Sequence, residues 1–165
     1  MISGIVFAAL VFAAASSGAA FKPTEWYFQL RKPSWTPPPL VFPIVWTILY
    51  TGIAIAGWLV WQEAGLSLAI VAWGVQLVLN AAWSWMFFGL KRLGLAFIDV
   101  LALLASIVVF IVASQPISPT ASLLFVPYLI WVTTAATLNL RVLQLNPSVW
   151  RGDAFERMLT GGREA

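Results

Sequence analysis

The chain has 165 residues, 61% apolar and only 9% charged, with nine Lys plus Arg against six Asp plus Glu, whereas a soluble domain is about 45–50% apolar and roughly 25% charged. So few charges cannot clothe a water-facing globule of this size, and lipid is the expected solvent. The absence of Cys and His excludes disulfides, Cys/His zinc sites, thiol nucleophiles, Ser-His-Asp triads and His- or Cys-ligated haem.

A transmembrane helix needs about 20 mostly apolar residues to cross roughly 30 Å of hydrocarbon. Five segments meet that requirement, at about 2–21, 42–61, 66–88, 93–114 and 121–143. The expected fold is an all-α integral membrane protein, a bundle of five transmembrane helices within residues 1–147, followed by a short polar tail at 148–165. The first segment carries small residues at Gly4, Ala8, Ala9, Ala13, Ala14 and Gly18, which let another helix approach closely where lipid supplies no hydrophobic drive for association. A cleaved signal peptide is the alternative for this stretch, given its small Ala19 and Ala20. Its apolar start, length and lack of a basic n-region favour a retained helix.

Residues 22–39 form the one substantial loop. Its Lys22-Pro23, Lys32-Pro33 and Pro37-Pro38-Pro39 steps forbid a continuous helix and predict a semi-rigid, extended segment. Gly89 and the Pro116/Pro119 pair mark short turns between later spans. In the tail, Trp150, Phe155 and Leu159 offer an apolar stripe for the membrane surface, but its glycines favour a frayed end. With five spans, all nine basic residues fall on the side of the long loop, the Lys91-Arg92 turn and the tail. Cytoplasmic loops retain Lys and Arg, so the N-terminus is expected outside and the C-terminus in the cytoplasm.

Ten tryptophans sort by position. Trp26, Trp35 and Trp61 fall at loop or helix ends, as interfacial anchors do. Trp46, Trp83 and Trp131 fall within spans, where an indole N–H wants an acceptor in a protein interior or a ligand. Helical spacing gathers these residues onto faces: Trp46 with Tyr50, above Pro43; Gln76, Asn80, Trp83 or Ser84, and Phe87; Tyr128, Trp131, Ala135 and Leu138. Each stripe reads either as interhelical packing or as one wall of a ligand pocket, and three together favour a pocket. Asp99 lies about 10 Å of helix rise beyond Arg92. Its place is either near the interface or among hydrogen-bond donors, and an intramembrane acid is a functional candidate by default.

The chain resembles the TspO/MBR family of tryptophan-rich sensory proteins and translocator (peripheral benzodiazepine receptor) proteins over about residues 18–146. The resemblance rests on Lys22-Pro23-x-Glu25-Trp26-Tyr27, Lys32-Pro33-Ser34-Trp35-Thr36-Pro37-Pro38, Val41-Phe42-Pro43-x-x-Trp46-Thr47-x-Leu49-Tyr50, Asn80-x-x-Trp83, Phe87-Phe88-x-x-Lys91-Arg92, and Val126-Pro127-Tyr128-x-x-Trp131 continuing to Leu138-Asn139. It implies a five-helix bundle, often a homodimer, whose first loop lids a pocket. The ligands it implies are protoporphyrin IX, haem and other apolar small molecules, with roles in tetrapyrrole transport, sensing or stress regulation. Carried over by motif, the ligand-binding residues are Trp46, Tyr50, Asn80, Trp83, Phe87, Trp131, Ala135 and Leu138.

A flat macrocycle gains from stacking on indole and phenol faces, while its propionates need donors. Lys22, Arg31, Lys32 and Trp35 are the lid candidates for that end. No metal site and no required cofactor are expected, and lipid and the porphyrin are the partners, with no nucleic acid. Iron would have only Tyr or Met as ligand, so metal-free porphyrin is expected to bind at least as well as haem. The sterol pattern that mitochondrial members carry near the end of the fifth helix departs here, because Thr137-Leu138-Asn139-Leu140-Arg141 has Leu140 in place of the central Tyr. Sterol binding through that motif is not expected. That departure suggests a bacterial member, and the Lys/Arg asymmetry favours the inner membrane, with the outer one, as proposed for some relatives, as the alternative. Two other function classes stand beside a receptor or transporter: a light- and oxygen-dependent porphyrin-degrading enzyme, and a membrane scaffold that binds no specific small ligand.

Overall fold

The structure, a computed structural model, describes residues 2–147; the tail with Trp150, Phe155 and Leu159 lies outside the described residues. The chain runs through α1 (Ile2–Ala20), α2 (Glu25–Gln29), α3 (Val41–Ala64), α4 (Leu68–Ser84) with a π-helical turn at Trp85–Gly89, α5 (Leu93–Ser114) and α6 (Pro119–Leu145). No strand occurs among the described residues. All but α2 are long and apolar enough to span a membrane, α4 together with its π turn. In hydrocarbon every backbone N–H and C=O must be satisfied within the segment, which is why mostly apolar runs of this length become helices.

The helix ends follow local chemistry. Ser67 caps α4 by accepting from the Ile70 N–H, and Ser118 caps α6 by accepting from the Ala121 N–H just before Pro119. Gly65 ends α3 at φ +58°, a left-handed conformation that glycine takes without steric cost. The first loop corrects one expectation: Glu25–Gln29 forms a short helix rather than an extended strap. Six residues lie between Pro23 and Leu30, and no further proline follows until Pro33, which leaves room for one helical turn.

The five long helices close into a ring in the order α1, α3, α6, α5, α4 and back to α1. At the end away from the first loop the ring is tightly filled. Ile53, Ala56, Val60, Ala69, Ile107, Phe110, Ala121 and Phe125 are buried there, with Phe110 stacked on Phe125 at 3.8 Å between centroids. Gly57 lets α1, α3 and α4 converge, since a Cβ at that position would sit 2.5 Å from the Trp73 indole and 2.8 Å from Phe7. Of the small residues of α1, Ala14 is buried and Gly4 meets Trp58, whereas Ala8, Ala9 and Ala13 face outward. The outer surface carries apolar side chains such as Ile44, Ile48, Val78, Ile98 and Ile130, as a lipid-facing belt requires.

At the lid end a second cluster joins Leu30 to Phe87, Leu93, Ala96, Val142 and Leu143. Lys22, Arg31, Lys32, Lys91, Arg92 and Arg141, the six cations among the described residues, all lie at or beyond this end. Asp99 faces the bundle from α5, buried, and its Oδ2 has no hydrogen-bond partner among the described residues.

Candidate functional site

Beneath the first loop the ring encloses a cavity of about 810 Å³. Helix α3 supplies Phe42, Pro43, Trp46, Thr47 and Tyr50, and α4 with its π turn supplies Asn80, Trp83, Ser84 and Phe88. From α6 come Trp131, Val132 and Ala135, from α5 Val100 and Leu103, from α1 Ala15, Gly18 and Ala19, and from the loop Tyr27, Phe28, Lys32 and the Thr36–Pro39 run. The walls are mostly aromatic and aliphatic, with a few polar groups, the usual make-up of a small-molecule site.

The aromatic walls brace one another. Trp46 and Tyr50, one turn apart on α3, stack at 5.0 Å and 26°, and Phe42 meets the edge of Trp131 at 5.6 Å. On the facing wall Trp83 and Phe88 stand at 90° with centroids 5.9 Å apart, and Tyr27 of the loop meets Phe88 at 5.4 Å. Behind this surface runs a hydrogen-bonded chain across three helices. Tyr50 Oη donates to Asn80 Oδ1 at 2.8 Å, Asn80 Nδ2 donates to Tyr128 Oη at 3.1 Å, and Tyr128 Oη donates to Gln76 Oε1 at 3.0 Å. Tyr128 and Gln76 are fully buried, so the chain anchors Asn80 from behind and fixes how its amide sits at the wall.

The mouth is basic on one side. Lys32 Nζ lies 4.4 Å over the Tyr27 ring and donates to the Phe28 and Leu30 carbonyls at 3.4 and 3.3 Å. Loss of hydration lowers the Lys32 pKa from its ordinary value and raises that of Tyr27.

Trp46, Tyr50, Asn80, Trp83, Trp131, Ala135 and Lys32 therefore surround one space. The other candidates lie elsewhere. Phe87 does not line the cavity; it is buried in the lid-end cluster, and Phe88 takes the place expected for it. The cause is the π turn, in which the Leu90 N–H bonds the Trp85 carbonyl at 2.8 Å. Bonding five residues apart widens the turn: both rings stand beside Trp83, Phe87 at 4.9 Å and Phe88 at 5.9 Å, but only Phe88 reaches the cavity.

Leu138 also lies outside, packed against the lid-end cluster. The first turn of α3 pairs with α6 at Trp131, and Leu138 stands about 10 Å further along, past the start of α3. Lys22, Arg31 and Trp35 are exposed and do not line the cavity. Residues lining the cavity that the sequence did not offer as site candidates include Phe88 and the α1 trio Ala15, Gly18 and Ala19, of which Gly18 was expected only to pack against a neighbouring helix. That trio has the same small-residue spacing that otherwise signals helix packing.

The sequence model of the TspO/MBR family matches residues 5–145, every span and the loop included. The chain belongs to the TspO/MBR family. Membership covers all of the elements that build the cavity, and it makes the chain an integral, multi-pass membrane protein. The chain is 39% identical over 142 residues to a tryptophan-rich sensory protein of Cereibacter sphaeroides, covering 86% of this chain and 90% of that one. It is 42% identical over 145 residues to the tryptophan-rich protein TspO of Chlorobaculum tepidum, covering 84% and 92%. The human translocator protein is 40% identical over 133 residues, 78% of each chain.

Proposed function

We propose that this member of the family is a membrane receptor or carrier that binds a porphyrin, protoporphyrin IX first, in the cavity beneath its first loop. The observation that carries the reading is the cavity itself, about 810 Å³ walled by Trp46, Tyr50, Trp83, Phe88 and Trp131 with Lys32 at its mouth. Ring faces suit a planar apolar macrocycle, and a cation at the wet end suits its carboxylates. A volume within the range of about 300–1,000 Å³ holds ligands of that class. Relatives named as a sensory protein and as a translocator protein support a role in sensing or moving such a ligand. The six described cations at the lid end support placing that end in the cytoplasm.

Titration of the detergent-purified protein with protoporphyrin IX, followed by tryptophan quenching and the porphyrin Soret band, tests the reading. Saturable binding in the micromolar range, about 8 kcal/mol of affinity, is expected. Trp131→Leu removes a wall and Ala135→Leu fills the space, and both are expected to weaken binding by tenfold or more, about 1.4 kcal/mol. Binding indifferent to both substitutions defeats the reading. Metal-free porphyrin is expected to match or exceed haem, since the chain has no His or Cys and the Tyr50 hydroxyl is committed to Asn80. A haem spectrum showing axial ligation by nitrogen or sulfur contradicts this.

A further inference from the structure

The first loop is joined to the end of α6 by a reciprocal pair of hydrogen bonds across 115 residues of sequence. The Arg31 N–H donates to Asn146 Oδ1 at 3.0 Å, and Asn146 Nδ2 donates back to the Arg31 carbonyl at 2.9 Å. A side-chain amide here imitates the two-bond pairing of neighbouring β-strand residues. The second Nδ2 hydrogen goes to the Val142 carbonyl at 2.7 Å, one turn back on α6, so the plane of the amide is held by its own helix before it meets the loop. Both donors and an acceptor of Asn146 are thereby committed to backbone partners.

Next to this pair the Leu30 side chain is buried against Phe87, Val142 and Leu143. Among the loop residues that reach the cavity, Tyr27 and Phe28 on one side and Lys32 on the other flank the clamped Leu30-Arg31 step. Lys32 ties them together through its bonds to the Phe28 and Leu30 carbonyls and its place over the Tyr27 ring. Residues 27–32 are thus one cross-braced unit, and Asn146 is where its backbone is held to the bundle.

We propose that Asn146 is a latch: it holds the first loop closed over the cavity, and release of its two bonds to Arg31 sets the rate at which a ligand enters and leaves. Both bonds lie at the wet end of the bundle, where water replaces them at low cost, so opening needs no rearrangement of the transmembrane core. Asn146 is a positioning residue, since it touches the loop and not the cavity. The rate half of the proposal rests on the ligand-binding reading above; the latch half does not.

The experiment uses the full chain with Asn146→Ala and Asn146→Asp, the second placing a carboxylate against the Arg31 and Val142 carbonyls that the amide now donates to. Hydrogen exchange at the Arg31 amide in the ligand-free protein reads the latch. Because the chain contains no cysteine, spin labels at Ser34→Cys and Gln144→Cys give a second reading as the spread of loop-to-α6 distances. Dissociation of protoporphyrin IX reads the rate. Loss of two exposed hydrogen bonds is expected to quicken both Arg31 exchange and porphyrin dissociation by about tenfold, to broaden the distance distribution, and to leave the thermal midpoint unchanged.

Unchanged Arg31 exchange in both variants overturns the proposal whatever the porphyrin does. Faster exchange with unchanged dissociation overturns it as a gate, and a thermal midpoint that falls in step with the exchange reassigns Asn146 to the scaffold. Faster exchange in a protein whose wild type binds no porphyrin saturably keeps the latch and discards the porphyrin reading.

Discussion

The two ends of the bundle use the same residue types to opposite ends. Away from the loop, Phe110 stacks on Phe125, Trp73 packs against Phe7 and Gly57 and donates its indole N–H to the Ile53 carbonyl at 2.8 Å, and little space remains. Near the loop, Trp46, Tyr50, Trp83 and Trp131 stand around a cavity, Trp46 stacked on Tyr50, Trp131 braced by Phe42 and Trp83 by Phe88. The difference lies in what faces the rings. Glycine at 57 draws backbones together at one end, whereas at the other Tyr50, Asn80, Tyr128 and Gln76 form a rigid polar chain that holds three helices in place. Filling space makes a foundation, and framing space makes a site.

Substitutions that remove one ring from each end give the largest contrast. Phe110→Ala is expected to cost about 3–5 kcal/mol through the void it leaves, read as a lower thermal midpoint in detergent with weaker porphyrin binding only as a consequence. Trp46→Ala enlarges an existing cavity, so its effect on the midpoint is expected to be clearly smaller and its effect on porphyrin affinity larger. Equal midpoint losses would erase the distinction between the two ends.

Gly57→Ala tests the close approach. Its Cβ would fall 2.5 Å from Trp73, so the indole must shift and strain its bond to Ile53, an overpacking cost of about 1–3 kcal/mol. A midpoint equal to wild type would mean that α1, α3 and α4 can part without penalty. The smallest effect is expected from Tyr50→Phe, which leaves the ring in its stack but removes the donor to Asn80. A stability loss of about 0.5–1.5 kcal/mol and a several-fold drop in porphyrin affinity are expected. An unchanged affinity would show that the polar chain supports the bundle without shaping the wall.

Much of this was readable in one dimension. Mostly apolar runs long enough to cross a bilayer specified five helices, because lipid leaves the backbone no other partner than itself, and every boundary fell within three residues of its expected place except the end of α4, where the α-helix stops at Ser84 and gives way to the π turn. The 3.6-residue period brought Trp46, Tyr50, Asn80, Trp83, Trp131 and Ala135 to the same cavity, since within a regular helix spacing fixes direction.

Tertiary structure decided the rest, wherever regularity broke or distant segments met. The π turn at Trp85–Gly89 exchanged Phe88 for Phe87, and the antiparallel register of α3 on α6 left Leu138 beyond the cavity. Among the loop candidates Lys32 reached the mouth while Lys22, Arg31 and Trp35 remained outside, and Arg31 met Asn146 from 115 positions away. Periodicity carries a direction along one helix only as far as its hydrogen bonds stay regular; which neighbour lies in that direction is set by the packing of the whole ring.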